Sequence, residues 1–537
     1  MSTSSTNTVN TDFRIRLSDI LPDAKIVGAD DIFVESCCGD WQACQTDDVY
    51  VALVEADHDG HEFTNEAIHR GAHAIVTERL IISARPQCIV SDTREAYGRI
   101  CQALAGQPTS RLSTIGVSGS DGKTVTSHLI RSVLKEAGRE TGLVSSLEVS
   151  LGNDRTSIPS TQINSAQLAS QLTQMALAKC DAAVVELSST ALAQRSTAGI
   201  GLDVAVLTNV RSSALEFHGN VTNYRRAQAR LLQQLKPTGV AVLNADDPTS
   251  HFMLQQIKTP TLTFGMKQDA NVTATLVNRS RTEQTFLLMA GGQSVPIKTK
   301  VIGDHHIQNC LAAAATGLAM GIDLFAIATG LNRSEAMPGR MEQLDCGQEF
   351  GVWVDAAKTP NQLANAIQSI KQVTTGRVWA LCSIDPQSDD RALRRQIGEV
   401  IDRSKVEIVL TNTQAGGAND LEPMHQVLDG VNEPGRAELI PNRFKAIEWA
   451  LQKAAPGDAV LVSGCGSQPF ALVGEDSWTI NDRDVCEAWL YDNASLAPVN
   501  PDGGLEPGIY NINDYRCLLY TSPSPRDRTR SRMPSSA

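Results

Sequence analysis

The sequence predicts an α/β protein of three domains, built on mostly parallel sheets covered by helices on both faces. Three observations lead there. The chain has 537 residues, too many for one hydrophobic core and enough for roughly three domains. From residue 112 onward, short apolar runs alternate with amphipathic helical patterns, the rhythm of βαβ units. A second run of the same kind begins near Phe350, beyond a cluster of turn residues.

Residues 13–108 form the first, small α/β module. Val49-Tyr-Val-Ala-Leu53 and Ala74-Ile-Val76 read as strands, with a helical pattern from Phe63 to Arg70 between them. A joint falls near Thr109 and opens the central domain, 109–336. Its expected strands are Thr114–Val117, Ala183–Leu187, Val204–Thr208 and Val240–Asn244, with helices over Val125–Ala137 and Ala166–Ala178. The second joint is Met337-Pro338-Gly339. Beyond it, 337–495 carries strands at Val352–Val354, Val378–Leu381, Ile408–Leu410 and Val460–Val462, a Rossmann-like arrangement. No internal repeat is visible. Residues 496–537 are an extension that turns basic and rich in Ser, Pro and Arg from about Cys517. That tail resembles translated non-coding or adapter sequence and is expected to be non-native and disordered; a basic interaction tail is the alternative.

Composition narrows the function. A content of 42% hydrophobic and 20% charged residues is that of a folded globular protein. The net charge of −13 argues against nucleic acid as a main partner, because phosphate backbones are bound by clustered Lys and Arg. No apolar run approaches the roughly 20 residues a membrane span needs. MSTSSTNTVNTDF lacks the basic and apolar regions of a secretory signal, so a cytoplasmic location is expected. The twelve cysteines show no paired metal spacing and read as reduced structural thiols.

The chemistry concentrates in residues 114–135, TIGVSGSDGKTVTSHLIRSVLK. A β-rich run leads into a glycine loop, then Gly122-Lys123-Thr124, then apolar positions at helical spacing. The glycines let backbone amides approach phosphates, and the helix start adds its positive end. Lys123 can reach the terminal phosphates of a nucleoside triphosphate, and the Thr124 hydroxyl can bind Mg²⁺. The general phosphate-loop pattern wants glycine where Val117 stands, so the match is to a variant.

This variant, Gly-x-x-Gly-x-x-Gly-Lys-Thr, resembles the Mur ligase family, and further matches follow in order along residues 15 to 495. They are Val185-Glu-Leu-Ser-Ser-Thr-Ala-Leu192, the stretch Thr208 to Leu232, Ala241 to Pro248, Gly303 to Asn309, Met337 to Glu342 and Asp355-Ala-Ala-Lys-Thr-Pro360. In the first module Asp40-Trp41-Gln42, Asp48 to Ala52 and Asp59-Gly60-His61 resemble the tripeptide synthetases of that family.

The resemblance implies an ATP-dependent amide ligase of peptidoglycan precursor synthesis, adding an amino acid to a UDP-N-acetylmuramoyl peptide through an acyl phosphate, and a monomer. It implies that Gly119, Ser120, Asp121, Gly122, Lys123, Thr124, Val125, Asn309, Arg340 and Asp355 bind ATP. By the same resemblance Thr124 and Glu186 hold metal, Lys123 and Glu186 serve catalysis, and Ser160, Thr161, Ser188, Gln194 and Arg394 meet the muramoyl substrate or the amino acid. The first module would be the UDP-sugar-binding one.

The pattern is also broken. The family's second metal site joins a glutamate, a histidine and a carbamylated lysine; Glu186 is kept, but the other two positions fall on Ala214 and Gln228, and Ser213 replaces an aspartate. His218 is the nearest substitute. The diaminopimelate-selecting Asp-Asn-Pro-Arg falls near Thr413-Gln-Ala-Gly416 without its arginine. Gly464-Cys-Gly-Ser-Gln468, Lys358 and His305-His306 are further departures. The alternative reading is therefore a catalytically impaired paralogue that binds ATP and UDP-sugar in a regulatory or scaffold role.

Overall fold

The computed structural model describes residues 15–55, 58–152, 154–156, 164–211, 215–254, 257–386, 390–413, 421–472 and 478–494. Ser160, Thr161, Ser213, Ala214, the stretch 414–416 and the tail 496–537 lie outside the described residues. The chain divides into two compact units, residues 1–335 and 336–537.

Among the described residues the first unit holds a two-stranded pair, Ile15–Arg16 with Phe33–Val34, and two larger sheets. The smaller of these two has five strands in the order Lys25–Val27, Gln87–Ile89, Ala74–Thr77, Val49–Val51, Cys37–Cys38, parallel except for its first pair. Val49, Val51, Ala74, Val76 and Cys88 pack beneath Ala96 and Ile100 of the helix Thr93–Leu104. Asp92 starts that helix by accepting from the amides of Arg94 and Glu95.

The larger sheet has eleven strands. Its core runs Thr141–Val144, Ala182–Glu186, Ser113–Ser118, Leu202–Leu207, Leu235–Asn244, Thr261–Gly265, all parallel as their near-continuous apolar sequences require. Further strands extend both edges: Val149–Leu151 and Asp154–Thr156 antiparallel on one side, and on the other Val272–Arg279, which joins Thr261–Gly265 in parallel, followed by the antiparallel Gln284–Ala290 and Gln293–Thr299. The helix Lys123–Glu136 packs against Asp304–Ala319 and Leu324–Asn332. Small residues make the contact close: Ala312–Ala315 are fully buried, and a Cβ on Gly330 would stand 2.7 Å from the Val133 Cα.

The second unit carries a six-stranded sheet, Glu342–Leu344, Gly351–Asp355, Ala459–Ser463, Val378–Ile384, Glu407–Asn412, Ala437–Leu439, parallel beyond its first pair. Thr359 opens the helix Pro360–Lys371 with a capping box closed by Gln362. The three-domain α/β reading is thus what the molecule shows. Among the described residues no helix is long and apolar enough to cross a membrane.

Candidate functional site

The strand Ser113–Ser118 ends between Ala182–Glu186 and Leu202–Leu207. The chain then turns through Gly119 and Gly122, both at positive φ, +138° and +81°. A side chain at Gly119 would run into the Thr208 hydroxyl, and one at Gly122 into the Asn309 amide. Both positions therefore need glycine on space as well as on conformation. Gly122 precedes the helix Lys123–Glu136 without a side-chain cap, so the first helical amides stay open toward the loop.

Two residues at the end of the neighbouring strand clasp this loop. Thr208 Oγ1 and Asn209 Nδ2 donate to the Asp121 carbonyl at 2.6 and 3.1 Å, and Asn209 Oδ1 accepts from the Asp121 amide at 3.0 Å. Ser120 accepts from the Arg211 amide at 2.8 Å and meets the Tyr224 hydroxyl at 2.6 Å. Lys123 curls back over the loop, its ammonium donating to the carbonyls of Gly119 (2.9 Å) and Ser120 (3.1 Å). Asn309 lies buried on Asp304–Ala319 against Gly122.

Glu186 stands at the carboxyl end of its strand and receives the Thr124 hydroxyl at 3.1 Å and the Ser146 amide at 2.9 Å; the Thr124 and Ser146 hydroxyls are 2.9 Å apart. A carboxylate and two hydroxyls are hard oxygen donors, and the set fits Mg²⁺. Ser146 has no motif to mark it. Its one sequence signal is its place just past Thr141–Val144, at the same carboxyl edge where ligands of such sheets gather.

Gln228 sits on the helix Val221–Gln233 with no exposed surface. Its carbonyl accepts from Ser118 Oγ at 2.9 Å and its amide nitrogen donates to Tyr224 Oη at 3.1 Å. Gln228 thus bears on the phosphate loop through neutral hydrogen bonds, and among the described residues none joins it to Glu186. His218 does not fill the gap. Its Nε2 pairs with Ser189 Oγ at 3.0 Å, burial holds its pKa below the ordinary value, and no bond to Glu186 exists among the described residues. Ser188 caps the helix Ser189–Ala193, accepting from the Ala191 amide at 3.1 Å, and Gln194 is exposed at that helix's end. His305 and His306 open the helix that carries Asn309, and burial lowers their pKa values to about 4 and about 3.

In the second unit Asp355 accepts from the amides of Met341 (2.7 Å) and Ala357 (2.9 Å). Burial raises its pKa against the pull of nearby Arg340. A Cβ on Gly339 would collide with Gly466 and the Ser467 amide, so the turn Met337–Glu342 packs directly on the loop Gly464–Gln468. Lys358 donates to Gln468 at 3.1 Å across the same edge. Three segments separated in sequence therefore meet there. Arg394 is buried, donating to Gln426 at 2.6 Å and to the Asp385 carbonyl at 2.7 Å. Sequence reading missed Arg443 altogether; it lies fully buried in a two-pronged ion pair with Asp482, both contacts 2.6 Å, and also donates to the Ser463 carbonyl.

A glycine loop between strand and helix, at the carboxyl edge of a parallel sheet, places the molecule among the phosphate-loop α/β proteins. More closely, the chain belongs to the Mur ligase family. Residues 117–317 match the Mur ligase middle domain, and 339–466 match the domain described as "Mur ligase, glutamate ligase domain". A relative from Geobacillus kaustophilus, UDP-N-acetylmuramoyl-L-alanyl-D-glutamate--2,6-diaminopimelate ligase, is 34% identical over 439 residues, covering 80% of this chain and 89% of its own. A solved structure of a ligase of that same name shares the fold at a TM-score of 0.66 with 23% identity, over 90% of this chain and 100% of its own. The Thermotoga maritima MurF ligase in complex with ADP has a TM-score of 0.55 at 19% identity, over 81% and 94%.

Proposed function

We propose that the chain is an ATP-dependent carbon–nitrogen ligase of peptidoglycan precursor synthesis that joins an amino acid to a UDP-N-acetylmuramoyl peptide. The observation that carries this is Glu186 facing Thr124 beside the Gly119–Lys123 loop in a member of the family. Mg²⁺ held by Thr124 and Glu186 would neutralise phosphate charge. The open amides of the loop and the Lys123 ammonium hold the triphosphate so that its terminal phosphoryl group meets the peptide's carboxylate. The acyl phosphate formed there is attacked by the amine, and phosphate leaves as the amide closes. In the second unit we read Arg340 and Asp355 as nucleotide-binding, because the segments in which they stand resemble those of the family. A monomeric cytoplasmic enzyme goes with this reading.

One observation favours a weaker catalyst. Gln228 is an amide in a closed neutral network, so it takes up no carbon dioxide and supplies no anionic metal ligand. The amino acid also differs in our reading: relatives are named for diaminopimelate, but Gly416 leaves no arginine for its distal carboxylate. Phosphate release from ATP, measured with UDP-N-acetylmuramoyl dipeptide and a panel of amino acids, tests both points. Amide product with an amino acid other than diaminopimelate is expected. ATP binding without acceptor-dependent phosphate release would overturn the ligase reading, and selective diaminopimelate ligation would overturn the specificity.

A further inference from the structure

The small sheet of the first unit holds a group of side chains that ligase chemistry does not use. Cys38, Cys44 and Asp48 place their sulfur and carboxylate oxygen atoms within 4.8 Å of one another. All three are buried, at 7%, 4% and 7% exposure. Each sits on a fixed backbone position. Cys38 ends the strand Cys37–Cys38, which pairs with Val49–Val51. Cys44 closes the 3-10 turn Trp41–Ala43, and Asp48 directly precedes Val49.

We propose that these three residues bind a thiophilic divalent cation, zinc above all. Tetrahedral zinc, with bonds of about 2.3 Å to sulfur and about 2.1 Å to oxygen, would bring the ligand atoms to roughly 3.5–3.8 Å of one another. The cluster closes to that spacing by side-chain movement of about an ångström. A second observation points the same way. Among the described residues no Lys, Arg or His pairs with Asp48, whose carboxylate is met by the Ser36 hydroxyl, the Gln45 amide (2.8 Å) and the Cys38 thiol. A buried carboxylate with neutral donors alone lacks a counter-charge, and a cation would supply it; Cys38 and Cys44 themselves pack among Tyr50, Ala67 and Ile75. Two thiolates are soft ligands, so this donor set selects zinc over magnesium, the reverse of the hydroxyl–carboxylate set at Thr124 and Glu186.

Binding is not a redox step. Two S–H bonds break, two metal–sulfur bonds form, and two protons leave to solvent; the Asp48 oxygen adds without a proton change, and water completes the tetrahedron. The cation would tie the turn 36–48 to the sheet, stabilising the first module on which Asp40 and Asp59 stand. Nothing in this depends on the ligase assignment.

The test uses the full chain, stripped with a chelator under reducing conditions and titrated with zinc, then with cobalt(II) as a spectroscopic stand-in. One equivalent is expected, with two protons released per cation and a thiolate-to-cobalt charge-transfer band. Cys44→Ser should abolish the band and weaken binding at least tenfold. Asp48→Asn keeps the shape and both thiols, and should weaken binding even if the cysteine variant folds poorly. Cys101→Ser, a thiol outside the cluster, should change neither. Equal uptake by wild type, Cys44→Ser and Asp48→Asn would overturn the proposal. So would a Cys38–Cys44 disulfide by mass spectrometry in protein that takes up no zinc once reduced.

Discussion

Replacing Gln228 by leucine and by lysine separates a neutral hydrogen-bonding site from one built for an anionic ligand. Leucine keeps the volume and removes two hydrogen bonds, to Ser118 at 2.9 Å and Tyr224 at 3.1 Å. Neither partner is orphaned: Ser118 keeps the Leu187 carbonyl at 2.7 Å and Tyr224 keeps Ser120 at 2.6 Å. The loss should therefore be about 1–2 kcal/mol, and the melting temperature of a domain this size falls by roughly 2–4 °C per kcal/mol. Lysine is worse, because it puts an ammonium where no surface is exposed and where, among the described residues, no carboxylate bonds to the position, a cost of about 3–5 kcal/mol. Carbon dioxide would relieve it by converting the amine to a carbamate that accepts from both hydroxyls. Thermal unfolding in paired buffers with and without bicarbonate reads this directly, with intact mass as the check on carbamylation. Bicarbonate should raise the melting temperature of Gln228→Lys alone, and should leave wild-type turnover unchanged. Adding Ala214→His to Gln228→Lys should raise acceptor-dependent turnover more than either change alone. Wild-type activity that rises with bicarbonate, or a leucine variant as unstable as the lysine variant, would refute the reasoning.

Three further outcomes are expected. Lys123→Ala should remove most ATP affinity, since one charge-assisted phosphate contact is worth about 1.5–3 kcal/mol; unchanged binding by calorimetry would contradict the loop assignment. Arg443→Met leaves Asp482 buried without its partner and should cost about 3–5 kcal/mol in denaturant unfolding, whereas adding Asp482→Leu should recover most of it; a double variant no better than the single one would count against this. His306 is buried, its Nε2 has no hydrogen-bond partner among the described residues, and its folded pKa is lowered to about 3. The unfolded chain takes up that proton near pH 6.5 while the fold does not. Stability should thus fall as pH drops from about 6.5 toward 3, by up to about 1.4 kcal/mol per pH unit from this group. His306→Leu should flatten that slope, and an unchanged slope would show the histidine titrates freely in the fold.

The fully buried parallel strands were legible because each is an unbroken apolar run. Thr114–Val117 and Ala183–Leu187 emerge within a residue of their expected ends as Ser113–Ser118 and Ala182–Glu186. The strands Val272–Arg279, Gln284–Ala290 and Gln293–Thr299 were not anticipated. Val272–Arg279 and Gln293–Thr299 are largely exposed, and polar residues interrupt their apolar positions; Gln284–Ala290 does hold an unbroken apolar run, Phe286–Ala290, which was not singled out. The helix Asp304–Ala319 was also missed as an element, although Asn309 on it was singled out.

The site divides along the same line. Gly119, Gly122, Lys123 and Thr124 are contiguous, and their chemistry follows from local backbone demands that sequence records: positive φ, an open helix start and a cation beside it. What lies across from them does not follow. Ser146 reaches Thr124 from the turn beyond another strand, and Gln228 meets Ser118 across 110 positions. Arg443 finds Asp482 in the second unit, and Cys38, Cys44 and Asp48 share one pocket only because a turn folds back onto its strand. Periodicity reports how one element divides between core and solvent. Which side chain on a distant element fills the facing space is decided by packing, and so only the tertiary structure showed that Gln228 completes a neutral network.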